Sequence, residues 1–282
     1  MTPGLGLAAG AMICFGLSDL IYKRAAKANV EPRQFIMQQA WVFCPGITLY
    51  AWLTGTLHLS LPALWGAFAG LFALAGFFNF IRSLEGGAVS TNAPIFRLNF
   101  TITAALAILL LGEAVTSVKI AALSCALIAV WLLLAEPANG SMRPSLESLI
   151  RVLAATVAIA LANLFYKIGL SQGAVPETMV ATQAWVFCSA ATFFGWLEKR
   201  RLRAVARVWR YSASAALVMV VGYVLMLHGL ARGPASVLVP VTQMGFVFTA
   251  VVGVLMFREP FGMRKRVGLA VAIAALALFA VS

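Results

Sequence analysis

The segment Gln39-Ala40-Trp41-Val42-Phe43-Cys44 recurs as Gln183-Ala184-Trp185-Val186-Phe187-Cys188, at an offset of 144 residues. The same offset relates Tyr22-Lys23 to Tyr166-Lys167. Further along the chain the offset becomes 146 and relates seven more pairs: Gly87/Gly233, Ser90/Ser236, Pro94/Pro240, Phe100/Phe246, Thr103/Thr249, Glu113/Glu259 and Lys119/Lys265. Six consecutive identities that include Trp and Cys, in register with the other pairs, indicate that the chain consists of two copies of one repeat.

The composition around this repeat excludes a soluble domain. Of 282 residues, 62% are hydrophobic and 11% are charged, whereas about 25% are charged in a typical soluble protein. So few charges cannot cover a water-facing surface, and the low polarity also excludes disorder. We therefore expect the lipid bilayer to surround the protein. The net charge of +12 does not indicate nucleic-acid binding, because the basic residues lie between apolar runs and form no stripe interleaved with aromatic residues.

The cysteines predict neither a metal site nor a disulfide framework. Cys14, Cys44, Cys125 and Cys188 all lie inside apolar stretches, without a CxxC motif or a histidine at ligand spacing. No cofactor is predicted. The N-terminal apolar run lacks the basic region that opens a secretory signal, so we interpret it as a retained first membrane helix.

Ten apolar runs have the length of a membrane span. A helix crosses the hydrocarbon core with about 20 residues, and an unpaired backbone group in lipid costs several kcal/mol, so each run is expected to be a complete helix. A transmembrane β-barrel is excluded because stretches such as ALAILLLG do not alternate in polarity. The predicted fold is an all-α integral membrane protein with ten transmembrane helices, at 2–22, 34–54, 62–81, 89–111, 117–135, 148–166, 177–197, 209–230, 235–256 and 266–282.

Each copy of the repeat contains five of these helices, which is an odd number. The two copies therefore cross the membrane in opposite directions, as an inverted pair. We assign residues 1–135 to the first repeat, 136–147 to a polar linker and 148–282 to the second repeat. Inverted repeats are typical of secondary transporters, in which the substrate binds near the membrane midplane and two mirrored arrangements alternate access.

The basic residues predict the orientation of the chain. We call the membrane face that carries the loops after spans 1, 3, 5, 7 and 9 the odd face, and the opposite one the even face. The odd-face loops hold seventeen of the 21 Lys and Arg residues, and the even-face loops hold three. Because Lys and Arg are retained in the cytoplasm, the odd-numbered loops are predicted to be cytoplasmic and both termini to lie outside.

With its two five-helix repeats, the whole chain resembles the ten-helix EamA-type members of the drug/metabolite transporter superfamily. In that family the fourth helix of each half begins with Ser and Pro, and a Gly-Glu pair follows about twenty residues later. The resemblance implies an inner-membrane carrier of small metabolites, often directed outward, with amino acids as one substrate class. Family members are usually drawn with cytoplasmic termini, contrary to the charge distribution here. The matching residues are Ser90, Pro94 and Gly112-Glu113, then Ser236, Pro240 and Arg258-Glu259, in which Arg258 replaces the usual Gly.

Arg97 is the clearest candidate for a binding residue. It lies eight residues into the fourth span, about 12 Å deep at 1.5 Å per residue, and a charge at such depth normally faces a cavity. Asp19 approaches from the same face, so we predict either an Asp19–Arg97 pair or an Arg97 available to a substrate carboxylate. The alternatives are that Arg97 binds backbone carbonyls or Asn99, and that Asp19 is an interfacial residue or helix cap.

Other polar residues within the spans complete the predicted substrate site. Arg97 corresponds to Gln243 in the second repeat, and Asp19 to Asn163, so charge is concentrated in the first repeat. The glutamines could hydrogen-bond a polar substrate while the neighbouring tryptophans stack on it. The alternatives are interhelical hydrogen bonds or a belt of interfacial tryptophans. The remaining candidates are Gln39, Trp41, Asn79, Asn99, Gln183, Trp185 and Tyr223.

Proline and glycine suggest special helix geometry. Pro94 and Pro240 each lie one turn into a span and remove a backbone donor, so we predict a hinge beside the site, with a plain kink satisfied by serine hydroxyls as the alternative. Gly66, Gly70 and Gly76 form a close-packing surface, either inside the protein or in a dimer.

The predicted function is secondary transport of a small molecule by a monomer or homodimer. The chain has no GxxxxGK[ST] loop to hold ATP, and no enzymatic activity is predicted. One alternative is a proton-coupled multidrug exporter, for which Asp19 is the only acidic residue within a span. A second is a membrane enzyme acting on lipid-linked substrates, but His58 and His228 lie on opposite sides without an acidic cluster beside them.

Overall fold

The computed structural model describes residues 3–86, 89–134, 145–199, 205–257 and 262–282. Apart from one 3-10 turn at Leu61–Ala63, the elements in these ranges are α-helices. The helices are α1 (Leu5–Lys27), α2 (Pro32–Leu53), α3 (Leu64–Ser83), α4 (Val89–Arg97), α5 (Asn99–Leu111), α6 (Ser117–Leu134), α7 (Leu146–Ser171), α8 (Pro176–Lys199), α9 (Ala206–Arg232), α10 (Ala235–Gln243), α11 (Gly245–Phe257) and α12 (Met263–Val281).

The predicted all-helical membrane fold of ten spans is confirmed. Six helical stretches are each long and apolar enough to cross a membrane. Eight spans correspond to one helix each, whereas the fourth consists of α4 and α5 and the ninth of α10 and α11. Of the predicted linker, residues 136–144 lie outside the described residues, and α7 begins after Ser145, whose side chain accepts a hydrogen bond from the Ser148 N–H.

The two divided spans break at equivalent positions, Leu98 and Met244. At each break the backbone N–H bonds to a carbonyl three residues earlier, at 3.0 Å for Leu98 and 3.1 Å for Met244. Pro94 and Pro240 lie four residues before these breaks, inside α4 and α10. A division of both fourth spans near mid-membrane is typical of helices that surround a transported solute, and the hinge role of the prolines stays a prediction.

Helix α1 is longer than the predicted span. It continues from residue 22 to Lys27, because lysine, arginine and alanine favour helix and their charges can lie beyond the hydrocarbon. Asp19 is consequently eight residues from the end of α1, about 12 Å below it. This is the same depth that we predicted for Arg97 from the start of α4.

The two repeats pack closely against each other. Helix α3 contacts α7 and α8, α1 contacts α9, and α6 contacts α12. Gly66 and Gly70 face α8, and a β-carbon at Gly70 would lie 2.6 Å from the Gln183 carbonyl oxygen. These glycines therefore serve packing between the repeats inside one chain, as in the first of the two predicted alternatives.

Candidate substrate cavity

A cavity of about 440 Å³ lies between the two repeats. Its walls come from α1, α2 and α3 of the first repeat and from α8 and α9 of the second. Val30, in the loop after α1, and Leu84, after α3, line its mouth. Because both residues belong to odd-face loops, the cavity extends from the odd face towards the middle of the membrane.

Aromatic rings dominate the cavity wall. Within the described part of the chain no carboxylate lines it, and Lys23 near the mouth is its one charged residue. The wall therefore suits a solute with an apolar body, since an unpaired charge inside it would lose its hydration without compensation. The rings belong to Tyr22, Phe35, Phe43, Phe77, Phe80, Phe187 and Tyr223.

Two glutamines from the repeated segment give the cavity its polar groups. Gln39 Nε2 donates a hydrogen bond to the Tyr22 hydroxyl at 2.9 Å, and Gln39 Oε1 lies 3.2 Å from the same hydroxyl. Gln183 interacts with Tyr223, whose ring packs edge-on against Phe43 at 5.6 Å. Three of the predicted binding residues, Gln39, Gln183 and Tyr223, thus line one cavity.

The predicted Asp19–Arg97 ion pair is present beside this cavity. Arg97 Nη2 lies 2.8 Å from Asp19 Oδ2, and the two side chains are 21% and 26% exposed. Arg97 Nη1 also donates to Gln243 Oε1 at 3.3 Å. Arg97 ends α4 and Gln243 ends α10, so the two half-helices meet at their C-terminal ends, where a cation is favourable. Neither member of the ion pair is among the residues that line the cavity.

The predicted asparagines bond to other groups of the protein. Asn99 donates to the Phe96 carbonyl at 2.7 Å, and Asn79 donates to the Ala75 carbonyl at 2.9 Å. Asn163 lies 3.4 Å from the Thr103 hydroxyl, which links α7 to α5. These contacts lie within or between helices, and none of the three asparagines lines the cavity.

The two predicted tryptophans form a symmetric pair of contacts between α2 and α8. The Trp41 indole donates to the Thr192 hydroxyl at 2.9 Å, and the Trp185 indole donates to Thr48 at 2.8 Å. The offset of 144 relates Trp41 to Trp185 and Thr48 to Thr192, so each bond is the repeat-related counterpart of the other. Neither tryptophan lines the cavity. This geometry corresponds to the alternative of interhelical hydrogen bonds, and a stacking role has no support from it.

The cysteines of the repeated segment meet at the same interface. Cys44 and Cys188 are neighbours across α2 and α8, and all four cysteines are free. Equivalent positions in contact place this part of α2 and α8 on the pseudo-two-fold axis of the repeats.

Contacts between the repeats close the even face beneath the cavity. Glu113, just beyond α5, accepts hydrogen bonds from the backbone N–H groups of Ala235 and Ser236, at 2.6 and 2.9 Å, and from the Ser236 hydroxyl. The carboxylate therefore caps the positive N-terminus of α10. The Ser236 hydroxyl therefore bonds to Glu113 and does not satisfy the backbone carbonyl four residues before Pro240, as the alternative of a plain kink had predicted.

Lys167 lies next to this cap. Its Nζ donates to the carbonyls of Leu230 and Gly233, at 2.8 and 2.6 Å. The loop that joins α9 to α10 is thereby tied to the end of α7. Sequence reasoning missed Glu113 and Lys167 as functional candidates, although both belong to the repeated pairs, because only the fold shows which partners they reach.

A third set of contacts completes the closure. His228 Nε2 lies 2.8 Å from Glu177 Oε1, which joins the end of α9 to the start of α8. The Thr178 hydroxyl donates to the Thr56 carbonyl at 2.6 Å. The loop after α2 is thus held against the second repeat. The cavity is open towards the odd face and closed at the even face.

Comparison with known proteins is informative at the level of family and fold. The model of the EamA-like transporter family matches residues 2–135 and 147–281. A solved structure titled "Crystal structure of protein" aligns over 98% of this chain and 95% of its own, with a TM-score of 0.81 and 14% sequence identity. A sequence search of curated proteins finds no match.

Proposed function

This chain belongs to the EamA-like transporter family, a group of drug/metabolite transporters, and we propose that it exports small metabolites across the inner membrane by alternating access. Amino acids are the favoured substrate class. The observation that carries this proposal is the cavity between the inverted repeats, which extends from the odd face and is closed at the even face. Such a cavity lets a solute enter from one side only.

The proposed direction follows from the charge distribution. With seventeen of 21 basic residues in odd-face loops, the odd face is the cytoplasmic one. The cavity then collects its solute from the cytoplasm. Closure of the odd face and opening of the even face would release the solute outside.

The repeat itself supports alternation between two such conformations. Glu113, Lys167, Gly233 and Ser236 meet at the closed even face, and each has an identical counterpart in the other repeat. The counterparts are Glu259, Lys23, Gly87 and Ser90, of which Gly87 and Glu259 lie outside the described residues. If the repeats exchange conformations, the counterpart set closes the odd face while the first set separates.

The wall of the cavity favours amino acids with apolar side chains. The zwitterionic head group fits the mouth, where Lys23, Tyr22 and Gln39 provide polar partners and water has access. The side chain would lie among Phe43 and Phe187 further in. Arg97 can bind the substrate carboxylate only by giving up its bond to Asp19, so we place it as the second polar contact, reached after the head group has moved inward.

Drug export is the competing function that the apolar wall also permits. A lipophilic cation, however, would meet no carboxylate among the described lining residues. Since Asp19 is held by Arg97 at 2.8 Å, a cationic drug would also have to displace a bound guanidinium. We therefore favour zwitterionic over cationic solutes.

Counterflow in proteoliposomes tests the proposed function. Labelled leucine or phenylalanine is expected to accumulate in vesicles preloaded with the same amino acid, and aspartate or ethidium is not. Ala184→Trp, which fills the cavity, is expected to abolish counterflow. The matched control is Leu53→Trp at an exposed position, which leaves it intact. Accumulation of ethidium but of no amino acid would overturn the proposal in favour of drug export.

A further inference from the structure

One hydrogen bond of the first repeat is missing from the second. In the first repeat the Tyr22 hydroxyl and Gln39 Oε1 lie 3.2 Å apart. The equivalent residues are Tyr166 and Gln183. Among the described residues, neither the Tyr166 hydroxyl nor Gln183 Oε1 has a hydrogen-bond partner. The same two atoms are therefore paired in one repeat and unpaired in the other.

Both unpaired atoms are buried inside the protein. Tyr166 is 2% exposed and Gln183 is 5% exposed, and buried polar groups without partners are rare in native proteins. Both residues neighbour Tyr223, whose ring centroid is 6.3 Å from that of Tyr166 and whose side chain interacts with Gln183. A hydroxyl donor on Tyr166 and an amide-oxygen acceptor on Gln183 thus lie unpaired next to Tyr223.

We infer that Tyr166 and Gln183 form a latch that closes only in the opposite, even-open conformation, and that Tyr22 and Gln39 form the latch of the odd-open conformation described here. The inference rests on the proposed alternating access. In inverted repeats the two halves exchange conformations between the two states. Exchange would bring the Tyr166 hydroxyl to donate to Gln183 Oε1, and it would separate Tyr22 from Gln39.

The remaining contacts of the glutamines are compatible with this exchange. Gln39 Nε2 also contacts the Met219 sulfur. Gln183 interacts with Tyr223, and its Oε1 has no hydrogen-bond partner among the described residues, so this atom is available to Tyr166. At the position equivalent to Tyr223 stands Phe77, which has no hydroxyl. Gln39 therefore has Tyr22 and Met219 as its side-chain partners.

Equivalent substitutions in the two repeats test the latch with opposite expected signs. Tyr22→Phe removes a bond of the odd-open state, and Tyr166→Phe removes the bond of the even-open state. The conformation is measured by the rate of maleimide labelling at two equivalent positions, Leu84→Cys at the cavity mouth and Leu230→Cys at the buried even face, in a chain whose native cysteines are replaced by alanine.

One hydrogen bond is expected to change the ratio of the two labelling rates about fivefold. Tyr22→Phe should raise labelling at position 230 relative to position 84, and Tyr166→Phe should lower it. Tyr166→Phe should also raise the melting temperature of the purified protein, because it removes an unpaired buried hydroxyl, whereas Tyr22→Phe should lower it. The double variant should return to the wild-type ratio.

The controls separate failure of the latch from failure of the proposed function. Tyr50→Phe, at an exposed tyrosine, should change neither labelling ratio nor melting temperature. If Tyr22→Phe and Tyr166→Phe shift the ratio in the same direction while counterflow persists, the latch is wrong and the transporter assignment stands. If position 230 is never labelled in any variant and no counterflow occurs, both proposals are wrong.

Discussion

Arg97 carries its charge at the C-terminal end of α4, about 12 Å along the helix from its start at the odd face. Three features stabilise it there: the ion pair with Asp19, the hydrogen bond to Gln243 and the negative end of the α4 helix dipole. The second repeat holds Gln243 and Asn163 at the equivalent positions. The two repeats therefore differ in charge at the point where α4 and α10 meet. Because of this difference, the two halves of the site are chemically unequal although their folds are alike.

We predict that breaking the Asp19–Arg97 pair from one side destabilises the protein. Asp19→Asn or Arg97→Gln leaves one charge without its partner and should cost about 2 kcal/mol of unfolding free energy, between the values for exposed and fully buried pairs. The double variant Asp19→Asn/Arg97→Gln should recover most of the loss. Melting temperatures of the purified proteins measure these effects.

The control for this prediction is an exposed pair in the same chain. Arg151 and Glu147 lie one helical turn apart at 2.7 Å, with Glu147 exposed, so Arg151→Gln should cost less than about 0.5 kcal/mol. An equal loss of stability in Arg151→Gln and Arg97→Gln would contradict the special role of the half-buried Asp19–Arg97 pair.

At the scale of helices, the divided fourth and ninth spans determine where Arg97 and Gln243 meet beside the cavity. Their hydropathy is continuous, so the sequence predicted one helix for each, with Pro94 and Pro240 as the only sign of irregularity. The breaks at Leu98 and Met244 bring the ends of α4 and α10 together in mid-membrane. Helix α4 begins at the odd face and α10 at the even face, and the N-terminus of α10 is capped by Glu113 from the other repeat.

We predict that the Glu113 cap holds the even face closed. Glu113→Ala leaves the N–H groups of Ala235 and Ser236 without their acceptor and should weaken this contact by about 1–2 kcal/mol. Maleimide labelling at Leu230→Cys should then rise roughly tenfold. Ser236→Ala, which removes only the hydroxyl, should give a smaller increase. No increase in either variant would mean that the cap stabilises α10 without gating the even face.

At the scale of the whole molecule, the orientation in the membrane decides what the cavity does. An odd face in the cytoplasm makes the described conformation the loading state of an exporter. The opposite orientation, with the cytoplasmic termini usually drawn for family members, would make the same cavity open to the outside.

We predict that the C-terminus is outside and the odd loops are inside. In intact cells an impermeant maleimide should label Ser282→Cys and should label Glu85→Cys, in the loop after α3, only after permeabilisation. The reason is the concentration of Lys and Arg in the odd-face loops. The reverse labelling pattern would place the termini in the cytoplasm, and the cavity would then load its solute from the outside.

The sequence by itself determined the membrane fold, the ten spans and the inverted repeat, because each depends on hydropathy and on identity between positions along the chain. It also placed Arg97 and Asp19 near the same membrane face, whereas their equal depth of about 12 Å followed only from the continuation of α1 to Lys27. Only the tertiary structure decided which polar groups meet, for example that Trp41 reaches Thr192 and that Glu113 reaches Ser236. Contacts between helices depend on the rotation of each helix about its own axis and on its neighbours, and a one-dimensional pattern contains neither. The difference between the bonded Tyr22–Gln39 and the unbonded Tyr166–Gln183 is of the same kind, because identical residues distinguish the two repeats only through their conformation.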